Sequence, residues 1–308
     1  MLMGIDIGGT KCAVTVGTPA GEVVAKERIP TTDMETTLKA IQKVIGRFRD
    51  TYEIEACGIS CGGPLDEREG LILSPPNLPG WDEIPIVGMV SYELDYIPVA
   101  LRNDANACAM AEWRFGAGKG TENMVFLTFG TGLGAGIILG GRLISGANGN
   151  AGEAGHLRLR KNGPVGYGKE GSFEGFCSGG GLAQLGRMAA DEAKAQGTPV
   201  PWDAPKIDVA TMAEAARQGD PFAKGVFELC GHRLGEGLAV LVDLLNPERI
   251  VIGSIFARCE DLLRAPMEET LRREALPEAL KVCTVVPAAL GESIGDQAAL
   301  AVAMEVLK

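Results

Sequence analysis

One local pattern occurs twice in this chain and constrains its fold more than any other feature. Leu2 to Ile7 alternates like a strand, and Gly8-Gly9-Thr10-Lys11 interrupts it as a turn. A second strand runs from Cys12 to Val16. A turn at Gly17-Thr18-Pro19-Ala20-Gly21 leads into a third strand, Glu22 to Ile29. The same order returns from Asn123. MVFLTF reads as a strand, Gly130-Thr131-Gly132 as a turn and Ile137 to Leu139 as a strand. Gly140-Gly141 makes a hairpin, and Arg142-Leu143-Ile144 opens another strand. A duplicated strand, glycine turn, strand and hairpin predicts two related domains, each carrying one glycine-rich turn.

The remaining pattern is mixed α/β. Leu38, Ile41, Ile45 and Phe48 lie at helical spacing within Met34 to Phe48. Strands are expected at Ala56 to Ser60, Ile97 to Leu101 and Arg249 to Ile252, and a helix from Asp104 to Trp113. Pro221 to Leu245 predicts one long helix stopped by Asn246-Pro247. The glycine-rich run Phe115 to Thr121 is the expected crossing between domains. The boundaries are therefore read as 1–115 and 116–291, with an alanine-rich C-terminal helix in 292–308 packing back on the first domain.

The 308 residues suit two domains, and 46% hydrophobic against 22% charged residues allows a substantial core. A net charge of -11 lacks the basic surface that phosphate-backbone binding needs, so nucleic acid is not an expected partner. A free polyanion such as ATP is still admissible, because backbone N–H groups and a metal ion can hold it. The eight cysteines are scattered, without a C-x-x-C pair, and read as free thiols in a reducing compartment. The N-terminus lacks a signal-peptide pattern, and the most apolar run, Leu238 to Leu245, is too short for a bilayer span and contains Asp243. A cytoplasmic protein without membrane association is expected.

Two glycine turns, then, are candidate phosphate binders. In Asp6-Ile7-Gly8-Gly9-Thr10-Lys11 the glycines let backbone N–H groups approach an anion closely, and Asp6 at the strand end can hold Mg²⁺ through its water shell. An ordinary hairpin turn is the competing reading. Gly130 to Gly136 forms the second loop; it fits neither the Walker A pattern nor the dinucleotide fingerprint, and a closely packed glycine-rich strand is its alternative. Asp104 stands where a strand gives way to a helix. Taken alone, a helix N-cap is the preferred reading for it. A carboxylate there can also take the proton of a hydroxyl that attacks a phosphoryl group, with Asn103 alongside as donor and acceptor. Glu153 and His156 are candidate clamps for vicinal hydroxyls and Glu174 is a further candidate, with ordinary solvated acids in a glycine-rich loop as the competing reading, whereas His232 lies inside the long helix and reads as structural.

In this order, DIGGTK from Asp6, GISCGGP from Gly58, PNLPGW from Pro76, NDANA from Asn103, GTGLGAGI from Gly130 and GEAGH from Gly152 resemble the ROK family of bacterial sugar kinases and sugar-responsive repressors. The resemblance covers nearly the whole chain. It implies the two-domain actin-like ATPase fold shared by sugar kinases, Hsp70 and actin, which is ribonuclease H-like. It places ATP on Gly4, Ile5, Asp6, Ile7, Gly8, Gly9, Thr10 and Lys11 and on Gly130, Thr131, Gly132, Leu133, Gly134, Ala135, Gly136 and Ile137, with adenosine near Gly253 and Ser254. It implies sugar contacts from Gly63, Asn103, Asp104, Glu153, His156 and Glu174, with Asn77 shaping specificity and Asp104 as catalytic base.

The implied activity is transfer of the γ-phosphate of ATP to a hexose or N-acetylhexosamine hydroxyl, with O6 expected and glucokinase as the nearest type. The alternative is a sugar-binding regulator or an inactive sensor. Against a regulator, the first strand at Leu2 leaves no room for a preceding DNA-binding helix-turn-helix. The expected ligands are ATP, Mg²⁺ and a small sugar; the sugar's identity stays open, as does the choice between monomer and homodimer. One departure stands out. Where the family carries a C-x-C-G-x-x-G-C-x-E zinc segment, this chain has Val165, Tyr167 and Ser172 at the three cysteine places. No zinc site is therefore expected, and the loop is expected to be held by hydrogen bonds and by packing of Val165, Tyr167 and Phe173; a rewired site using Cys177 and Glu170 is the opposing arrangement.

Overall fold

The structure is a computed structural model that describes residues 1–202 and 207–307. The chain begins β1 (Leu2–Ile7), β2 (Lys11–Gly17), β3 (Val23–Pro30), α1 (Met34–Thr51), β4 (Ala56–Cys61), β5 (Leu65–Asp66), β6 (Leu71–Ile72), α2 (Ile86–Glu93), β7 (Val99–Asn103) and α3 (Asp104–Phe115). It continues β8 (Met124–Leu127), β9 (Ala135–Leu139), β10 (Arg142–Leu143), a 3₁₀ turn at Ala154–His156, β11 (Val165–Gly166), β12 (Lys169–Glu170), α4 (Phe173–Phe176) and α5 (Gly179–Ala195). The last elements are α6 (Val209–Arg217), α7 (Pro221–Leu245), β13 (Arg249–Ile252), α8 (Ile255–Arg258), α9 (Glu260–Glu274), α10 (Pro277–Leu280), β14 (Thr284–Pro287) and α11 (Ile294–Val306). Lys308, the last residue of the expected C-terminal helix, lies outside the described residues.

The duplicated pattern in the sequence has a counterpart in sheet topology. One five-stranded sheet has the order β3-β2-β1-β4-β7 and the other β10-β9-β8-β13-β14. In the first, β1 to β3 form the antiparallel meander while β4 and β7 add in parallel. In the second, β9 and β10 form an antiparallel hairpin, and β13 pairs in parallel with both β8 and β14. Parallel strands covered on both faces need apolar residues without alternation, and every residue of β4, Ala-Cys-Gly-Ile-Ser-Cys, is buried.

By their contacts the residues form two compact units: Met1–Glu122 with Gly136–Gly152 and Ala289–Lys308, and Asn123–Ala135 with Glu153–Ala288. In the first unit the period of two along β1 sorts its side chains. Met3, Ile5 and Ile7 join the core built with α1 (Leu38, Ile41, Val44, Ile45) and with Trp81 and Leu101. Leu2, Gly4 and Asp6 alternate with them, and Leu2 packs with Leu300 and Ala303 of α11. The helix lies so close that a Cβ on Gly4 would come within 2.9 Å of the Ala299 Cβ, and one on Gly58 would collide with the backbone of Ala299 and Ala303. Glycine in two strands and alanine along the helix are what this approach requires.

In the second unit α7 matches its sequence expectation at both ends. Asp220 caps it by accepting from the Ala223 N–H, Pro221 takes its first turn, and Asn246 ends it in the left-handed region at φ 44°. His232 is structural, as expected: its Nδ1 lies 2.8 Å from the Thr270 Oγ1 of α9. No helix among the described residues is long and apolar enough to cross a membrane.

Two expectations need correction. The strand expected at Ile97 to Leu101 starts at Val99 and extends through Asn103. In consequence the N-cap of α3 is Asn103, whose Oδ1 accepts from the Ala105 N–H at 3.0 Å, and Asp104 is the first helical residue. The loop in place of the zinc segment is not held by Val165 and Tyr167, which are 46% and 79% exposed. Backbone bonds hold it instead: the Gln184 side chain accepts from the Val165 N–H and donates to the Val165 carbonyl, and the Gly171 N–H donates to Pro164 O. Ser172, at the third cysteine place, is buried and caps α4 by accepting from the Gly175 N–H at 3.0 Å. Only Phe173 packs as expected, buried against Gly237 of α7.

Candidate active site

In the first unit the candidate residues gather at the carboxyl ends of neighbouring parallel strands, where open α/β sheets form their ligand crevices. Ile7 of β1 is level with Cys61 of β4, and Cys61 with Asn103 of β7. The glycine turn after β1 is pinned by Thr31, whose hydroxyl donates to Gly8 O at 2.6 Å. A Cβ on Gly9 would come within 2.5 Å of Asn77 O, so the PNLPGW segment is seated directly on this turn. Gly63 in turn lies 3.4 Å, measured from a notional Cβ, from the Asn103 Nδ2. Gly9, Gly63, Asn77 and Asn103 are thus brought together. Gly4, Ile5 and Ile7 are buried in β1, whereas Thr10 and Lys11 are exposed.

Carboxylates dominate the electrostatics. Asp104 is exposed at the start of α3, yet the protein around it removes enough hydration to raise its pKa, against a lowering N–H bond from Ala105. Asp6 is raised to about 6, first by burial and then by the nearby Asp296 and Asp104 carboxylates, with Lys26 and Lys11 opposing. Asp296 is 8% exposed, pairs with Lys26 and accepts from the Thr15 hydroxyl. Glu67 holds the strand end itself: Oε1 accepts from the Asn103 N–H at 3.0 Å and Oε2 pairs with Arg102 at 3.2 Å.

In the second unit the loop Gly130–Gly134 is built by strain and by donors from other elements. Phe129 before it has φ 33°, and Ser254, after the neighbouring strand β13, has φ 49°. Non-glycine residues hold such angles at a cost and concentrate at functional sites. The Ile255 N–H donates to Phe129 O at 3.0 Å, joining the two strained strand ends. From the start of α5 the Gly179 and Gly180 N–H groups donate to the carbonyls of Gly130 and Thr131 at 2.7 and 3.3 Å. The Gly134 N–H donates to the Thr128 hydroxyl and the Leu133 N–H to the Glu174 Oε2, both at 2.9 Å. Among the described hydrogen bonds the N–H groups of Thr131 and Gly132 have no partner, while the carbonyls of both residues accept from other backbone N–H groups, and Thr131 is exposed; two adjacent unbonded N–H groups suit an anion.

Glu153 precedes the 3₁₀ turn of this unit and His156 ends it; both are exposed. Gly155 between them is wedged against Leu133 O, and its notional Cβ lies 3.2 Å from the Glu174 Cβ. Glu153, His156, Glu174 and the loop therefore form one cluster. Gly136 and Ile137 belong to the first unit, where Gly136 is buried against Ala105 and Ala109 of α3. Among the described residues no three His, Cys, Asp or Glu side chains gather as a metal site.

Sequence reasoning missed Glu67, Glu112 and Asp296. Glu112 is fully buried in α3 and accepts from the N–H groups of Ala117, Ala289 and Leu290 at 2.7, 3.2 and 2.9 Å. An acid on an otherwise apolar helix face is its only sequence signal.

The ROK family model matches residues 2–306. A glucokinase of Streptomyces coelicolor is 33% identical over 96% of this chain and 95% of its own length. The crystal structure of a ROK family glucokinase from Streptomyces griseus in complex with glucose and AMPPNP is 31% identical, covers 99% of both chains and superposes with a TM-score of 0.78. A ROK family transcriptional regulator, a homologue of the Escherichia coli MLC protein, superposes with a TM-score of 0.87 at 25% identity over 99% of this chain and 78% of its own. The fold is the α/β actin-like ATPase fold. Matched from its first strand to its last helix, the chain belongs to the ROK family.

Proposed function

We propose that this protein is an ATP-dependent sugar kinase that phosphorylates a hexose or N-acetylhexosamine at O6, with glucose as the first substrate to test. The observation that carries the reading is the Asp104 carboxylate, open to solvent at the end of β7 and at the same sheet edge as the glycine turn after β1. Its raised proton affinity brings it nearer to that of an effective general base at neutral pH. As the sugar oxygen bonds to the γ-phosphorus and ADP leaves, the hydroxyl proton passes to Asp104. Asn103 spends its Oδ1 on the α3 cap, which leaves its Nδ2 to donate to the sugar. Glu67 fixes the strand end that aims both residues. The N–H groups of Thr131 and Gly132, without partners among the described hydrogen bonds, suit phosphate oxygens.

Mg²⁺ fits the donors present. Asp6 is a hard oxygen ligand crowded by Asp296 and Asp104, so a cation there relieves repulsion, and Mg²⁺ needs only one or two carboxylates besides water and phosphate. Bound there, it would neutralise charge on the transferring phosphate.

The relatives support this reading through their own names, glucokinase, and through the glucose and AMPPNP of one complex. The similarity to a regulator supports a second reading, a sugar sensor without turnover. A coupled ADP-release assay over glucose, mannose, fructose, allose and the N-acetylhexosamines separates them. Phosphorylation of at least one is expected. Sugar binding without phosphate transfer across the panel would assign the chain to the sensor class.

A further inference from the structure

Glu174 contacts the glycine loop with one oxygen only. Its Oε2 accepts from the Leu133 N–H at 2.9 Å and lies 2.8 Å from the notional Cβ of Gly132, so the carboxylate sits against the loop backbone. Its Oε1 has no partner among the described hydrogen bonds, and the side chain is only half-buried. Ser172 caps the short helix that carries it, and Phe173 is buried against α7, so the side chain has a fixed base. The turn bearing Glu153 and His156 leans on both Leu133 and Glu174 through Gly155.

This arrangement has a charge consequence. A carboxylate on a loop N–H occupies a donor that an incoming phosphate could use, and it places negative charge beside the remaining donors, Thr131 and Gly132. We propose that Glu174 is a positioning residue that couples the two substrates. Without sugar, the carboxylate holds the Leu133 N–H and keeps the loop a poor polyphosphate site. A sugar hydroxyl donating to Oε1 draws electron density toward itself and loosens the Leu133 bond, so the nucleotide binds more tightly. Linkage makes the effect reciprocal: bound nucleotide tightens sugar by the same factor. The inference rests on the kinase reading above and adds an order to it, with sugar preparing the nucleotide loop.

The test is calorimetric titration of Mg²⁺–AMPPNP into the whole protein, with and without a saturating sugar chosen from the turnover panel. In the wild type the sugar should tighten AMPPNP about tenfold, within the usual range of coupling between sites. In Glu174→Gln, which keeps the shape and removes the charge, AMPPNP alone should bind about tenfold more tightly than to wild type, and added sugar should change it less than about twofold. Gly132→Ala keeps the charge but drives its Cβ against Oε2, and should also shrink the coupling. Saturation is checked for each variant by direct sugar titration. Wild-type AMPPNP affinity independent of sugar, or coupling unchanged in both variants, overturns the inference while the kinase reading stands. A wild type that phosphorylates no sugar in the panel overturns the kinase reading, and the inference with it.

Discussion

Replacing Glu112 with alanine should destabilise the protein severely, although this residue touches no candidate ligand position. The carboxylate is fully buried and accepts three backbone N–H groups, one from the segment after α3 and two from the segment before α11. Gly116 packs against the same carboxylate, so the side chain fills its space. Alanine leaves three donors without their acceptor. An orphaned buried donor costs roughly 1–3 kcal/mol. Removing the desolvated charge offsets part of this, and a water entering the polar gap can satisfy one or two donors. The net loss is then about 3–5 kcal/mol, a large share of a typical folding free energy. At ~2–4 °C per kcal/mol for chains of this size, the midpoint of thermal unfolding should fall by about 10 °C. Glutamine keeps one oxygen but turns an NH₂ toward the other donors, so Glu112→Gln should lie about midway between alanine and wild type. The assay is calorimetry at a fixed scan rate on all three proteins. An alanine variant melting within about 1 °C of wild type would refute the reasoning, because it would mean the three N–H groups find equal partners elsewhere.

Three further outcomes are expected. Asp104→Asn should lower turnover on the order of 10²–10⁴-fold with sugar affinity nearly kept, since the α3 cap belongs to Asn103; a steady-state assay beside a sugar titration checks it. Asp6→Asn should abolish turnover yet stabilise the ligand-free protein at pH 7.5 by on the order of 1–2 kcal/mol. The sign follows from the pKa of Asp6, raised to about 6 in the folded state: the folded form binds its proton more tightly than the unfolded chain, so stability falls as pH rises from below 4 through 6, and melting curves of both proteins at pH 4 and pH 7.5 should converge at the lower value. Protein purified without a histidine tag should carry no stoichiometric zinc; one zinc per chain by elemental analysis, surviving a mild chelator wash, would show that the loop around Ser172 binds metal after all.

Much of the architecture was readable because the sequence punctuates it. Asp220-Pro221 and Asn246 mark both ends of α7 with cap chemistry, and the glycine turns mark the strand ends. The N-cap at Asn103 was misplaced by one residue because Asn and Asp are equally good caps; only the extension of β7 decides between them. Val165 and Tyr167 were misjudged because apolar character suggested burial, while the short β11–β12 hairpin leaves them outside and Gln184 does the holding. The buried acids were illegible for a deeper reason. Glu67 and Glu112 are matched to backbone N–H groups from distant segments, and backbone partners leave no trace in residue type. Glu174 was expected to face solvent or sugar; its bond to Leu133 depends on how α4 is set against the loop, which no local pattern encodes.

The glycine windows of β1 and β4 under α11 also govern the order of biosynthesis. Strands at Leu2–Ile7 and Ala56–Cys61 leave the ribosome well before the helix that covers them, Ile294–Val306. Every residue of the second unit is made in between. The unit that starts first therefore finishes last, and during translation one face of its sheet waits uncovered around Leu2, Gly4, Ala56 and Gly58. A nascent chain stalled before Ile294 should display that face to hydrophobic probes and chaperones, and release of the final helix should hide it.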